Sequence, residues 1–300
     1  MAGVPHITVC VCTYKRPQLL LLLLRSLAQQ RTAGKFTYSV VVVDNDRSMS
    51  AREIAEDFAA SSGFRVTYDC EPEQNIARAR NRGLTHVKGE FVAFFDDDQL
   101  ATEGWLLTLL EYCERSKADG ILGPVKPKFE VPPPAWVTKG KFCERPSYRT
   151  GFEIDWRKGR TGNVLLRTRI FPSDGEVFHP TFLTGEDQDF FRRMIEKGHR
   201  FLWCEEAVAY EIVPPRRWQR RFMVRRALLR GQVSLRHPSV GATEVAMSAV
   251  AIVVYSAALP FALLSGQHRF MRYLVSLCDH LGKVLASIGL EPIRHAYVTE

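Results

Sequence analysis

Through its first 125 residues the chain alternates short runs of β-branched and aromatic residues with longer segments whose apolar positions recur every three or four residues. The runs predict strands at 7–12, 39–44, 65–69, 91–96 and 121–125, and the segments between them predict helices near 17–30, 51–61, 76–86 and 103–117. Such alternation argues for an α/β fold, a mostly parallel Rossmann-like sheet flanked by helices on both faces. The leucine run Leu19 to Leu24 follows Pro17, a residue suited to a helix's first turn, and is too short to cross a bilayer.

Residues 124–149 are rich in proline, lysine and aromatic side chains without a clear period, as expected of a long loop that covers a site or joins subdomains. A strand at 161–167 and a helix over 187–197 follow, with Glu186 and Asp187 at the helix start, where acids favourably meet the helix dipole. Past Pro214 the pattern changes. Residues 216–236 hold eight arginines and no acid; as a helix this segment would set Trp218, Phe222, Leu229 and Val233 as a stripe among guanidinium groups, suited to a membrane surface or an anion. Residues 245–264 carry no charge over 20 positions, long enough to cross the ~30 Å hydrocarbon core. Ser248, Ser256 and Pro260 interrupt that run and basic residues flank both ends, so a helical hairpin or an in-plane insertion is expected rather than a full crossing. A last amphipathic helix is expected over 268–288. The pattern divides the chain into a catalytic domain, 1–214, and a basic and hydrophobic helical region that associates with a membrane, 215–300.

Composition adds three constraints. With 46% hydrophobic and 25% charged residues, the 300-residue chain can build a sizeable core. Its formal charge of +8 favours a phosphate-bearing partner: a nucleotide, a nucleic acid or an anionic membrane face. The seven cysteines form no CxxC pair and have no histidines at zinc spacing, which reads as reduced thiols of a cytoplasmic protein. The N-terminus lacks the basic, apolar and small-residue pattern of a signal peptide.

Polar residues gather where the predicted strands end: "CTYKRP" after the first, "DND" after the second, "DDD" after the fourth. In an open parallel sheet those ends share one edge, where ligands bind. Asp96, Asp97 and Asp98 repel one another unless a cation lies among them, and Asp96 and Asp98 at alternate positions offer hard oxygens to magnesium or manganese. A solvated acidic turn is the ordinary alternative. Asp44 can accept hydrogen bonds from a nucleobase or ribose, or simply start a turn. Arg78, Arg80 and Arg82 can pair with phosphates or carboxylates.

The segments "VCVCTYKRP", "VVVDND", "NIARARNRGL", "FFDDDQ", "TGNVLLR" and "TGEDQDFFRRM" resemble, in order and approximate spacing, those of inverting family 2 glycosyltransferases with the GT-A fold, and most closely the bacterial exopolysaccharide glucosyltransferases. The resemblance covers about residues 5–235. It implies that Thr13, Tyr14, Arg16, Asp44 and Arg80 hold the nucleotide sugar, most often a UDP-sugar, together with Asp96 and Asp97. It implies a divalent metal, Mn2+ or Mg2+, on Asp96 and Asp98, a general base in Asp187, and Glu186 beside it shaping the acceptor pocket. A hydroxyl attacking in line would invert the anomeric carbon without a covalent intermediate, and arginines of 216–226 would close over the diphosphate. The acceptor implied is a polyprenyl-diphosphate-linked glycan at the cytoplasmic face of the inner membrane, with residues 216–288 on the lipid surface. "RRWQRR" is not the "QxxRW" of processive synthases, which argues against polymerisation.

Three rivals stand beside this reading. A nucleotidyltransferase of similar fold would show a glycine-rich loop after the first strand, and "CTYKRP" has no glycine. A haloacid-type phosphatase would carry its Asp-x-Asp after the first strand. An arginine-rich nucleic-acid binder would leave the three strand-end motifs unexplained. His179 and the tryptophans Trp105 and Trp203 are expected to be structural, with Trp136 a candidate to stack on a sugar.

Overall fold

The computed structural model describes residues 4–172, 176–182, 185–235 and 240–293. They divide into two compact units: 1–127 with 145–212, and 128–144 with 213–300. The first unit begins β1 (His6–Thr13), α1 (Pro17–Ala28), β2 (Thr37–Asp44), α2 (Arg52–Ser62), β3 (Val66–Cys70), α3 (Ile76–Leu84), β4 (Phe91–Asp96), β5 (Gln99–Ala101), α4 (Trp105–Ser116) and β6 (Gly120–Leu122). Next in the chain come β7 (Val125–Phe129) and α5 (Ala135–Gly140), inside the stretch expected to be loop, with α5 belonging to the second unit; the first unit then continues with β8 (Asn163–Arg167), α6 (Glu186–Glu196), β9 (Phe201–Trp203) and β10 (Ala209–Val213).

Among the described residues the main sheet has the order β3-β2-β1-β4-β8-β6-β9, and a smaller one the order β5-β10-β7. β1 to β4 pair in parallel, β8 runs antiparallel to β4 and β6, and β9 is parallel to β6. The near-continuous apolar run of β2 reflects burial on both faces. Val40 and Val42 join α1, α2 and α4 on one face, while Val41 and Val43 join α3 and α6 on the other, the period of two expected of a strand. Leu20, Leu23, Leu24 and Leu27 of α1 are fully buried at helical spacing, each worth about 2 kcal/mol of apolar burial.

The second unit holds α7 (Arg220–Ser234), α8 (Ala242–Leu264) and α9 (Gln267–Ser287). The buried face of α7 is Met223, Ala227 and Gly231, not the expected stripe; Trp218 is buried but precedes the helix, and Arg236 lies outside the described residues. The reason is close packing: a Cβ on Gly231 would stand 1.8 Å from the Asp279 carbonyl oxygen, and one on Gly282 would stand 2.1 Å from that of Leu228, so α7 and α9 cross almost backbone to backbone. Residues 245–264 form no hairpin of their own. α8 is one helix that contains Pro260, and α9 folds back along it, with Tyr255 edge-on to Tyr273 and stacked on His280. α8 is long and apolar enough to cross a membrane, with a mean hydropathy of 2.1 in its most apolar stretch and little of it buried.

Candidate active site

Register brings the strand-end residues level: Thr13 stands opposite Asp44, and Cys12 opposite Asp96. Asp44 is fully buried; its carboxylate accepts from the amides of Asp46 (3.1 Å) and Ala51 (2.8 Å) and from the Tyr68 hydroxyl (3.2 Å), and burial raises its pKa. It therefore organises the turn into α2.

The three aspartates divide their work. Asp97 is buried: Thr13 Oγ1 donates to its Oδ2 (2.8 Å) and Arg16 Nη1 to its Oδ1 (3.0 Å). Burial pushes the Asp97 carboxyl up to about 6 although Arg16 opposes it. Both oxygens expected to serve the donor thus latch the first loop to the sheet edge. Arg16 also reaches Asp98 Oδ2 at 3.5 Å, so the structure places Arg16 among the aspartates, while Tyr14 is half-buried beside it under Lys15.

Asp96 faces the other way. Gln99 Nε2 donates to its Oδ2 (3.2 Å), and a Cβ on Gly162 would stand 2.4 Å from that same oxygen, which explains the glycine of "TGN". Burial raises the Asp96 pKa and the charge of Asp98 adds to it, with Arg145 and Arg80 opposing. Among the described residues no three His, Cys, Asp or Glu side chains are placed to hold an ion by themselves. A divalent cation nevertheless fits: the charge of Asp98 bears on the buried Asp96, and Gln99 Oε1 beside Asp96 is buried without a partner. Two carboxylates and an amide oxygen suit a hard ion whose other positions go to water and phosphate.

α6 begins at Gly185, whose φ of 87° favours glycine, and turns Glu186 and Asp187 toward Arg80. Arg80 and Glu186, both buried, form an ion pair, and Arg80 also feels Asp187 and Asp96. The structure thus sets Arg80 among the carboxylates, where the resemblance implied a position near the nucleoside. Glu186 is engaged by Arg80, while Asp187 accepts from the Gln188 amide at 2.8 Å. Burial and then the Glu186 charge push its carboxyl up to about 6, although Arg80, the Gln188 amide and Arg160 favour the charged form.

Several residues escaped sequence reasoning. Asn75 caps α3 by accepting from the Ala77 and Arg78 amides and donates to the Pro180 carbonyl (2.8 Å), while Asn81 exchanges two hydrogen bonds with the Phe178 backbone. Together they clamp the segment that leads into α6. Arg145 pairs with Glu211 at 2.7 Å and adds positive charge beside Asp96 and Asp98. Its one signal was an arginine at the end of the irregular 124–149 stretch. His179 contacts the buried Asp189 at 3.3 Å, the Trp105 indole donates to Asn163 (2.7 Å), Trp203 is buried, and Trp136 packs on Phe142.

The chain matches the family model "Glycosyl transferase family 2" over residues 8–172. It is 36% identical over 230 residues to the succinoglycan biosynthesis protein ExoM of Rhizobium meliloti, covering 76% of this chain and 73% of that one. It is 23% identical to the chondroitin synthase of Escherichia coli, covering 70% of this chain but only 35% of the synthase. Residues 1–349 of S. aureus TarS, in complex with UDP-GlcNAc, share the fold at a TM-score of 0.55 and 18% identity, covering 95% of this chain and 92% of that one.

Proposed function

Because the chain belongs to glycosyl transferase family 2 and is a glycosyltransferase of GT-A fold, we propose that it moves a sugar from a nucleoside diphosphate sugar, a UDP-hexose, to a hydroxyl of a polyprenyl-diphosphate-linked glycan in cell-surface polysaccharide synthesis. The observation that carries this reading is the charge cluster at the sheet edge, in which Asp187, with its carboxyl near 6, shares Arg80 with Asp96. Asp187 takes the proton of the acceptor hydroxyl as that oxygen attacks the anomeric carbon. The bond to the acceptor forms as the bond to the departing diphosphate breaks, and the configuration inverts. Glu186 and Arg80, locked together, hold the start of α6 so that Asp187 keeps its aim. Asp96 and Asp98 would hold magnesium or manganese, which supplies Lewis-acid stabilisation of the leaving diphosphate. Thr13, Tyr14 and Asp44 form the nucleoside end.

The uridine preference draws support from TarS, which has been solved with UDP and with UDP-GlcNAc, and the polysaccharide context from ExoM. The basic α7 and the exposed apolar face of α8 support docking at the cytoplasmic face of the inner membrane, where anionic lipid attracts arginine. Family membership weighs against the nucleotidyltransferase and nucleic-acid readings.

The test is release of UDP from a panel of UDP-sugars with a membrane lipid extract as acceptor source, with manganese or with chelator. One donor is expected to be consumed with metal only, Asp98→Ala to lose donor binding and turnover, and Asp187→Ala to lose turnover alone. Unchanged turnover in Asp187→Ala would remove the base from the reading.

A further inference from the structure

A cleft of about 200 Å³ opens at the same sheet edge, on the side away from the nucleoside residues. Its floor is the ends of β6 and β9 and the start of β8, which meet in register: Leu122 stands opposite Val164 and Trp203. The strand order sets its place. Thr13 and Asp44 end β1 and β2, Asp96 ends β4, and the cleft lies over β8, β6 and β9, so that roughly 14 Å separates β1 from β6 at the usual strand spacing. The nucleoside end, the aspartate pair and the cleft therefore follow one another along a single edge.

The cleft's lining carries four cations, Arg145, Arg157, Lys158 and Arg160, and no acid among the described residues. Arg145 connects it to the aspartate pair, and Arg160 connects it to Asp187, whose charge it feels. Arg160 makes no ion pair among the described residues, whereas Arg157 pairs with Asp155 at 3.6 Å and lies on the Trp156 ring, and Lys158 lies over Phe152. Aromatic walls complete the cleft: Tyr148 meets Trp203 edge-on at 5.2 Å, and the Trp203 indole N–H is buried without an acceptor. Flat rings suit the C–H face of a sugar, and an unpaired buried N–H costs stability unless a ligand oxygen accepts from it.

We propose that this cleft receives the acceptor and that the acceptor carries a fixed negative charge, a carboxylate or phosphate, close to the hydroxyl that Asp187 deprotonates. The inference rests on the glycosyltransferase reading of the site and names its second substrate by chemistry. The charge sits against Lys158 and Arg160, while the neutral sugar lies against Tyr148 and one of its oxygens accepts from the Trp203 indole N–H. A donor diphosphate is the other anion at hand, but it belongs beside Asp96 and Asp98, neither of which lines the cleft.

The test is calorimetric titration of the full chain with three probes: a tetrasaccharide bearing one glucuronate, the same tetrasaccharide with its carboxyl reduced, and a short-chain citronellyl-diphosphate glucose, each with and without saturating UDP. At least one charged probe is expected to bind tenfold or more tightly than the neutral one, and which one does so identifies carboxylate or diphosphate as the source. Lys158→Gln with Arg160→Gln should erase that difference while UDP binding and the unfolding midpoint stay unchanged, and Lys158→Arg with Arg160→Lys should restore it. Equal binding of charged and neutral probes, or a charge preference that survives the double Gln variant, overturns the proposal. So does competition between UDP and the charged probe, which would give the cleft to the donor. Failure of UDP to bind at all, with the charge preference intact, would count against the donor assignment and leave the anion-binding cleft standing.

Discussion

At the scale of single residues, the arrangement around Asp187 makes a pH prediction. A base must be ionised to accept a proton, and a carboxyl held near 6 is half ionised there, so kcat/KM should be about tenfold below its plateau at pH 5 and flat above pH 7. Asp187→Asn should lose about 10²–10⁴-fold in kcat with donor affinity kept, as measured by single-turnover assay and direct titration. Gly162→Ala makes a sharper point. Its Cβ would displace Asp96 Oδ2, so turnover should fall at least about tenfold while the unfolding midpoint moves only a few degrees. The acids of this site were legible in the sequence because each stands at the end of a recognisable strand or the start of a helix. Arg145 and Glu211 were not: 66 positions separate them, and only folding β10 beside β5 brings Glu211 to the aspartates. The role of Asp97 was also hidden: alternation along the strand sets it opposite Asp96 and Asp98, but does not say that Thr13 and Arg16 meet it there.

At the scale of elements, the parallel strands and the helices of the first unit follow from period and punctuation, which local sequence carries. The faces of α7 do not. Its arginine and leucine pattern suggests a stripe through Phe222, Leu229 and Val233, yet contact is made through Gly231, a residue that hydrophobic periodicity cannot flag. Absence of a side chain is what lets α9 approach. Gly231→Val should therefore force the crossing apart and unfold the C-terminal helices selectively, seen as lost amide protection in α7 and α9 with protection of β1 and β4 unchanged. Retained protection in α9 would show that the crossing tolerates bulk. α8 failed the expectation of a break for the opposite reason: a helix accommodates one proline near its end when the lost hydrogen bond lies in its last turns.

At the scale of the whole molecule, the charge of +8 and the apolar α8 belong together. α8 is about 34 Å long by helical rise, and Val250, Val253 and Phe261 are each at least 65% exposed, a surface that water would disfavour. The full chain should sediment with vesicles containing about one-third anionic lipid, and Val250→Gln with Val253→Gln and Phe261→Gln should release most of it. Persistent sedimentation at 1 M salt would point to insertion of α8 beyond charge attraction. The cysteines have a use of their own at this scale. All seven are free thiols, and Cys10, Cys113 and Cys204 lie buried in the first unit while Cys278 lies buried in the second. Burial pushes each of their pKa values up, so they are sluggish nucleophiles until the chain around them opens. The wild-type protein thus carries its own clocks: in pulsed alkylation read by mass spectrometry, the rate at which Cys10 is tagged times the breathing of the catalytic sheet, and that of Cys278 times the breathing of the helical unit, with no residue changed.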